Sequence, residues 1–237
     1  MKELPLSPQA IRRRLLWAAG IAIATAAAFV LANWHGRESR AAFHAPPELA
    51  QRPAAGVTSA AEAFVVWQGS GLRGRRLVLL TGRFGGSGRG QDAPGPRGGV
   101  TPGSAVYWAA RLGLVRAIDV VMPPADFESQ RAADASHKVF RPEAGAYRHD
   151  LHGFWLRFSL PDALLPPTEP VLVLVEPTWF RPGAPPDPLA WLSSVGVRTD
   201  LALVALDDPA ATESDRRAAA EYARGARVPV LQIERTP

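Results

Sequence analysis

The stretch Arg76 to Gly90, RLVLLTGRFGGSGRG, runs an apolar segment into a glycine-rich loop carrying arginines. Backbone amides wrap phosphate groups in loops of this composition. A phosphate-binding loop needs G-x-x-x-x-G-K-[ST]. Here no lysine follows the glycines, and QDAPGPRGGVTPG intervenes before the next helical stretch. The dinucleotide pattern G-x-G-x-x-G breaks because Gly86-Ser87-Gly88 is followed by Arg89-Gly90-Gln91. The nucleophile elbow G-x-S-x-G fails because Ser87 is followed by Gly88 and Arg89. What survives is charge: Arg73, Arg75, Arg76, Arg83, Arg89 and Arg97 stand against one acid, Asp92. Such a segment suits an anionic ligand, a partner or a lipid surface, and a solvated loop has the same composition.

The second group that could do chemistry is His149-Asp150-Leu151-His152. Imidazole and carboxylate ligate zinc and similar ions, and an extended chain could aim two of the three at one ion. The spacing is not H-E-x-x-H, no further ligand is evident, and a polar loop leading into the next strand reads equally well. A triad of Ser87, His149 and Asp150 is disfavoured, because an acid adjacent in sequence is badly placed to orient its neighbour. With no cysteine in the chain, disulfides, thiolate metal sites and a cysteine nucleophile are excluded.

These residues must be held by something, and the apolar pattern says what. Short runs at Leu77–Thr81, Ala117–Met122, Val171–Val175, Leu201–Leu206 and Val228–Ile233 read as strands. GFWLRFSL from Gly153 reads as a half-buried or edge strand. Helical stretches lie between them. Ser59-x-x-Glu62 has capping-box spacing before AFVVW, and Ser104–Leu112 is helical up to Gly113. A further helix is possible near Ala125–Ala133. Asp187-Pro188 opens a helix closed by Gly196, and Thr212 with Asp215 opens one ending at Gly225. Continuous Val/Leu runs alternating with helices predict a three-layer α/β domain with a largely parallel sheet of about five to six strands.

In such sheets ligands gather beyond the carboxyl ends of the strands. That places Thr81, Arg83, Asp126, Glu176, Trp179, Asp207 and Asp208 at a crevice. Asp207 and Asp208 also fit turn and helix-start chemistry, and Trp179-Phe180 also fits packing.

Leu15–Trp34 is twenty residues without a charge, long enough to cross ~30 Å of hydrocarbon as a helix. Arg12, Arg13 and Arg14 precede it, whereas Arg37 and Arg40 after it are offset by Glu38, which puts the N-terminus in the cytoplasm. The competing reading is a cleaved signal peptide with Val30-Leu31-Ala32 as its site. Of the formal charge of +5, residues 1–40 carry +4, so the rest is nearly neutral and nucleic acid is not an expected partner. The expected organisation is a cytoplasmic N-terminus (1–14), an anchor in the lipid bilayer (15–34), an Ala/Pro/Arg-rich linker (35–57) and an extracytoplasmic α/β domain (58–237). This is the single-pass layout of a bacterial inner-membrane protein.

GSAVYWAARLGLVRAIDVVMP, and VLVLVEPTWF followed by PPDPLAWLSSVGVRTDLALVAL, resemble in layout the arginase-like α/β proteins, particularly their uncharacterised bacterial relatives. The resemblance covers about two-thirds of the outer domain. Those enzymes carry a D-x-H-x-D metal motif after an early strand, where this chain has Leu80-Thr81-Gly82-Arg83-Phe84. They carry a second acidic motif later, where only Glu176 remains. An arginine repels a divalent cation. The resemblance therefore implies the fold without its binuclear metal, and no cofactor is expected. The expected role is a non-catalytic binding or accessory subunit of a membrane assembly, meeting other subunits or an anionic ligand. The alternative is a membrane-tethered hydrolase, with or without a metal, whose site lies at the strand ends.

Overall fold

The computed structural model describes residues 54–84, 100–135, 140–151 and 154–231. All belong to Phe43–Pro237, the second of two units into which the chain divides. The expected anchor (15–34), the cytoplasmic N-terminus, most of the linker, Arg89, Arg97 and His152 lie outside them. Among the described residues no helix is long and apolar enough to cross a membrane.

Eight strands of the described residues form one sheet: β1 (Ala54–Val57), β2 (Arg75–Leu80), β3 (Val115–Val121), β4 (Arg141–Glu143), β5 (Ala146–Leu151), β6 (Phe154–Ser159), β7 (Val171–Val175) and β8 (Thr199–Ala205). Their order is β1-β8-β7-β2-β3-β6-β5-β4, parallel throughout except where β5 pairs with β4 and β6. Among the described residues five helices accompany them: α1 (Ala60–Gly69), α2 (Ala105–Arg111), α3 (Pro124–Asp134), α4 (Pro188–Ser194) and α5 (Glu213–Gly225).

The expectation of a largely parallel three-layer α/β domain holds, but the strand count exceeds five to six. β1 is Ala-Ala-Gly-Val, too small in side-chain volume to read as an apolar run, and it occupies what composition assigned to the linker. β4 and β5 alternate polar residues because one of their faces meets solvent. β6 is therefore internal rather than an edge. The run at Val228–Ile233 contributes a single described bridge, between Val230 and Gly56.

Two adjacent cross-strand rows explain the layering. Ala55, Leu203, Leu174, Leu79, Val120, Phe158 and Tyr147 are in continuous register across seven strands. All are buried against α1, α2 and Phe127 of α3. The row one residue back, on the opposite face, reads Ala54, Ala202, Val173, Val78, Asp119, Arg157, Arg148 and Arg141. Its apolar half packs under α4 and α5 through Leu192 and Ala223. Its charged half lies beyond those helices, where β6 returns to β7 through the proline-rich segment 160–170. Asp119 is buried there, with its carboxylate 2.8 Å from Nε of Arg76. Burial raises its pKa, opposed by Arg76, Arg157 and Arg148.

The helix starts were legible locally. Asp187 accepts from the Ala190 amide at 3.0 Å, and Thr212 and Asp215 form a reciprocal capping box. Ser59, by contrast, makes no side-chain cap; Glu62 Oε2 accepts from the Thr58 amide instead. Gly225 remains helical, and the positive φ after α5 falls on Arg227.

Candidate functional site

From β2 the chain steps outward to β3, and from β7 it steps the opposite way to β8. The loops leaving the carboxyl ends of β2 and β7 therefore diverge, which is the switch point where open α/β sheets bind ligands. The residues after β2 are Thr81, Gly82 and Arg83. Those after β7 are Glu176 and the 3-10 turn Pro177–Phe180.

Hydroxyl groups tie the two ends together. Thr81 and Thr178, both fully buried, place their Oγ1 atoms 3.0 Å apart. The Gly82 amide donates to Thr178 Oγ1 at 3.0 Å, and the Arg83 amide donates to Thr81 Oγ1 at 3.1 Å. Gly82 is required sterically: a Cβ there would lie 2.4 Å from the Thr178 carbonyl oxygen and 2.9 Å from Asp126 Oδ2. This close approach turns the chain abruptly out of the sheet and sets Arg83 at the rim.

A small cleft opens between these ends and the carboxyl end of β8. Arg83, Glu176, Asp207 and Asp208 supply its polar groups, and Leu79, Phe84 and Val106 its apolar wall. The first residue of α1, Ala60, and the 3-10 turn that leads into α2, Pro102–Gly103, also border it. Burial pushes the Glu176 carboxyl up to about 8, and the charge of Asp208 adds to this against a hydrogen bond with Thr81. At neutral pH Glu176 is therefore mostly a neutral acid, able to donate a hydrogen bond or a proton. Asp207 is tied to Arg216 at 2.6 Å, and Asp208 Oδ1 accepts from the Ala210 amide at 2.8 Å, so the turn chemistry expected of this pair is present alongside its place in the cleft.

The structure brings Thr81, Arg83, Glu176, Asp207 and Asp208 to this one end of the sheet. Asp126 and Trp179 lie at the same end of the sheet but do not line the cleft. Asp126, in the first turn of α3, pairs with Arg181 Nη1 at 3.0 Å, while Arg181 Nη2 reaches Asp215 at 3.1 Å. Trp179 is buried against Trp191, with its indole N–H donating to the Pro185 carbonyl. It packs, and offers no platform to a substrate.

The basic segment is not a uniform loop. Arg75 and Arg76 belong to β2 and pair with Asp200 and Asp119. Arg73 donates to the backbone carbonyls of Leu72 and Gln68. Arg83 alone of the described four borders the cleft. Two members of the histidine cluster, His149 and Asp150, lie on one described strand. In β5, His149 faces Asp134 and Phe158, its Nδ1 3.9 Å from Asp134 Oδ2. Asp150 pairs in register with Trp155 on the other face. Alternation therefore sends His149 and Asp150 to opposite faces, while His152 lies outside the described residues. Among the described residues no three His, Asp or Glu side chains gather in a metal-holding group.

Sequence reading missed Thr178, whose hydroxyl organises the switch point, and Arg181, which clamps α3 to α5. Thr178 sits three residues after an apolar run, a position where a helix start was not evident; Arg181 acts through partners 55 and 34 residues away in sequence. Comparison with family models, with curated proteins and with solved structures returned no match.

Proposed function

We propose that this is a membrane-anchored, extracytoplasmic α/β domain that binds a small polar ligand at the β2/β7 switch point. In this reading it serves as a non-catalytic binding or accessory subunit of a membrane-associated assembly. The observation that carries the ligand site is the convergence of Arg83, Glu176 and Asp208 on one cleft at the strand ends. The apolar run 15–34 supports the anchor. Arg83 and Asp208 offer opposite charges to a ligand, and neutral Glu176 offers a donor.

A second reading, a membrane-tethered hydrolase, draws on one specific feature, the displacement of Glu176 toward neutral pH, where a group exchanges protons most effectively. The test uses full chain in detergent. A small-molecule panel is screened by thermal shift, and hits are titrated against wild type, Arg83→Ser, Asp208→Asn and the surface control Arg224→Ser. The binding reading expects a ligand whose affinity falls at least tenfold in the first two variants and is unchanged in the control. Turnover of a hit, abolished by Glu176→Gln, would replace it with the hydrolase reading. A reporter fused after Pro237 that is active only in the cytoplasm would overturn the orientation.

A further inference from the structure

The parallel strands β1, β8, β7, β2 and β3 all start at the end of the sheet opposite the cleft. Near these starts the acids are already engaged: Asp200 pairs with Arg75, buried Asp119 with Arg76, and Glu169 with Arg116. The bond from Arg116, with the charges of Arg116, Arg76 and Arg75 behind it, holds the Glu169 carboxyl below its ordinary range against the effect of burial. Five further arginines are exposed at this end. Arg73 precedes β2, Arg111 closes α2, Arg198 precedes β8, and Arg224 and Arg227 stand where α5 ends and the chain turns alongside β1. Arg73 and Arg198 donate to backbone carbonyls, which leaves their charge uncompensated. Against the five stands Glu221, one turn back on α5. The helices α1, α2, α4 and α5 also end here, and their carboxyl ends, with roughly half a negative charge each, offset only part of the surplus.

We infer that this end of the domain docks on the anionic headgroups of the bilayer and turns the cleft away from the lipid. The inference rests on the anchored reading above. Three observations commit the occupant to lipid. Leu112, at the tip of the turn between α2 and β3, is 43% exposed beside Arg111. The Gly74 amide donates to the Gly113 carbonyl at 3.0 Å, which brings Arg73 to the same turn. An apolar side chain flanked by arginines suits the boundary between headgroups and acyl chains, whereas a soluble polyanion gains nothing from it. Next, the chain that follows the apolar run 15–34 joins the sheet at Ala54, and the start of β1 lies at this end. Last, Asp207, Asp208 and Glu213 stand at the opposite end, after β8 and at the start of α5, so an anionic surface attracts one end of the domain and repels the other.

The experiment reconstitutes the full chain in lipid nanodiscs. Because the sequence has no cysteine, Gln68→Cys at the arginine end and Glu213→Cys at the cleft end each take a single fluorescent label. Discs of phosphatidylcholine are compared with discs containing phosphatidylglycerol, a lipid spin-labelled at its headgroup serves as quencher, and circular dichroism checks that each variant is folded. The expected result is quenching of the arginine-end label in the anionic discs alone, with the cleft-end label unquenched in both. Arg111→Ser, Arg224→Ser and Arg227→Ser together are expected to lower the docked-to-undocked ratio about a hundredfold, about fivefold per arginine, and Leu112→Asp to lower it as well. Arginine-end quenching that is equal in the two kinds of disc, or matched by the cleft-end label, would overturn the proposal. So would its absence from both, which would assign the arginines to an anionic protein or polysaccharide. Retention in the phosphatidylcholine discs checks the anchored reading separately: a chain that leaves those discs yet is quenched in anionic ones loses the anchor and keeps the docking face.

Discussion

The hydroxyls of Thr81 and Thr178, 97 residues apart in sequence, meet at 3.0 Å and close the gap between the carboxyl ends of β2 and β7. Arg83 and Glu176, which border the cleft, each lie two residues from this contact. Replacing Thr178 by Val keeps its shape and removes the acceptor used by the Gly82 amide. A buried N–H left without a partner costs about 1–3 kcal/mol. Thr178→Val is expected to lower the unfolding free energy by that amount in denaturant titration, and Thr178→Ser to restore most of it.

Gly82 has no positive φ, so its role is one of space. Gly82→Ala forces the new methyl group against the Thr178 carbonyl, and overpacking of this kind costs about 1–3 kcal/mol. The thermal midpoint is expected to fall, and ligand binding at the cleft to weaken with it, because the turn that carries Arg83 must shift. A variant as stable as wild type would show that β2 and β7 can separate freely at this end.

Glu176 predicts the pH response of the fold. Its carboxyl titrates at about 8 in the folded chain against an ordinary value near 4.5. The stability that protonation contributes is fully present below the ordinary value and is lost as pH rises through 8. Allowing for partial exposure, roughly 2–4 kcal/mol of unfolding free energy is expected to disappear between about pH 5 and about pH 9. Glu176→Gln removes this dependence, so the variant gains on wild type as pH rises. Parallel pH profiles for the two proteins would disprove it.

Arg181 holds Asp126 and Asp215 at once. Burial opposes ionisation of Asp215, yet the bonds from Thr212 and Arg181 outweigh it and hold the carboxyl below the usual range. Arg181→Met strips both acids of their guanidinium partner, leaving Asp215 its bonds from Thr212, and is expected to cost about 1–3 kcal/mol in chemical denaturation. Because Asp126 does not border the cleft, ligand affinity is expected to change far less than stability. Asp126→Asn is expected to be milder, since Asp215 keeps its arginine.

The sequence by itself determined the layers. Val171–Val175 and Leu77–Leu80 are apolar at every position because both faces of the central sheet are covered, and that requirement is local and readable. The caps at Asp187 and Thr212 were equally readable, since their hydrogen bonds span three residues. The rule that ligands sit at strand ends was enough to nominate Thr81, Arg83, Glu176, Asp207 and Asp208. Strand order was out of reach. β1 pairs with β8 across some 150 residues, and nothing in Ala-Ala-Gly-Val signals it. Only strand order decides that β2 and β7 are neighbours, that Thr178 faces Thr81, and that Asp126 meets Arg181 rather than the cleft. The same holds for the half-charged row. Asp119, Arg157, Arg148 and Arg141 come from four separate segments, and only the ladder sets their charges side by side on one face. Local pattern records which faces are buried, whereas long-range pairing decides which side chains share them.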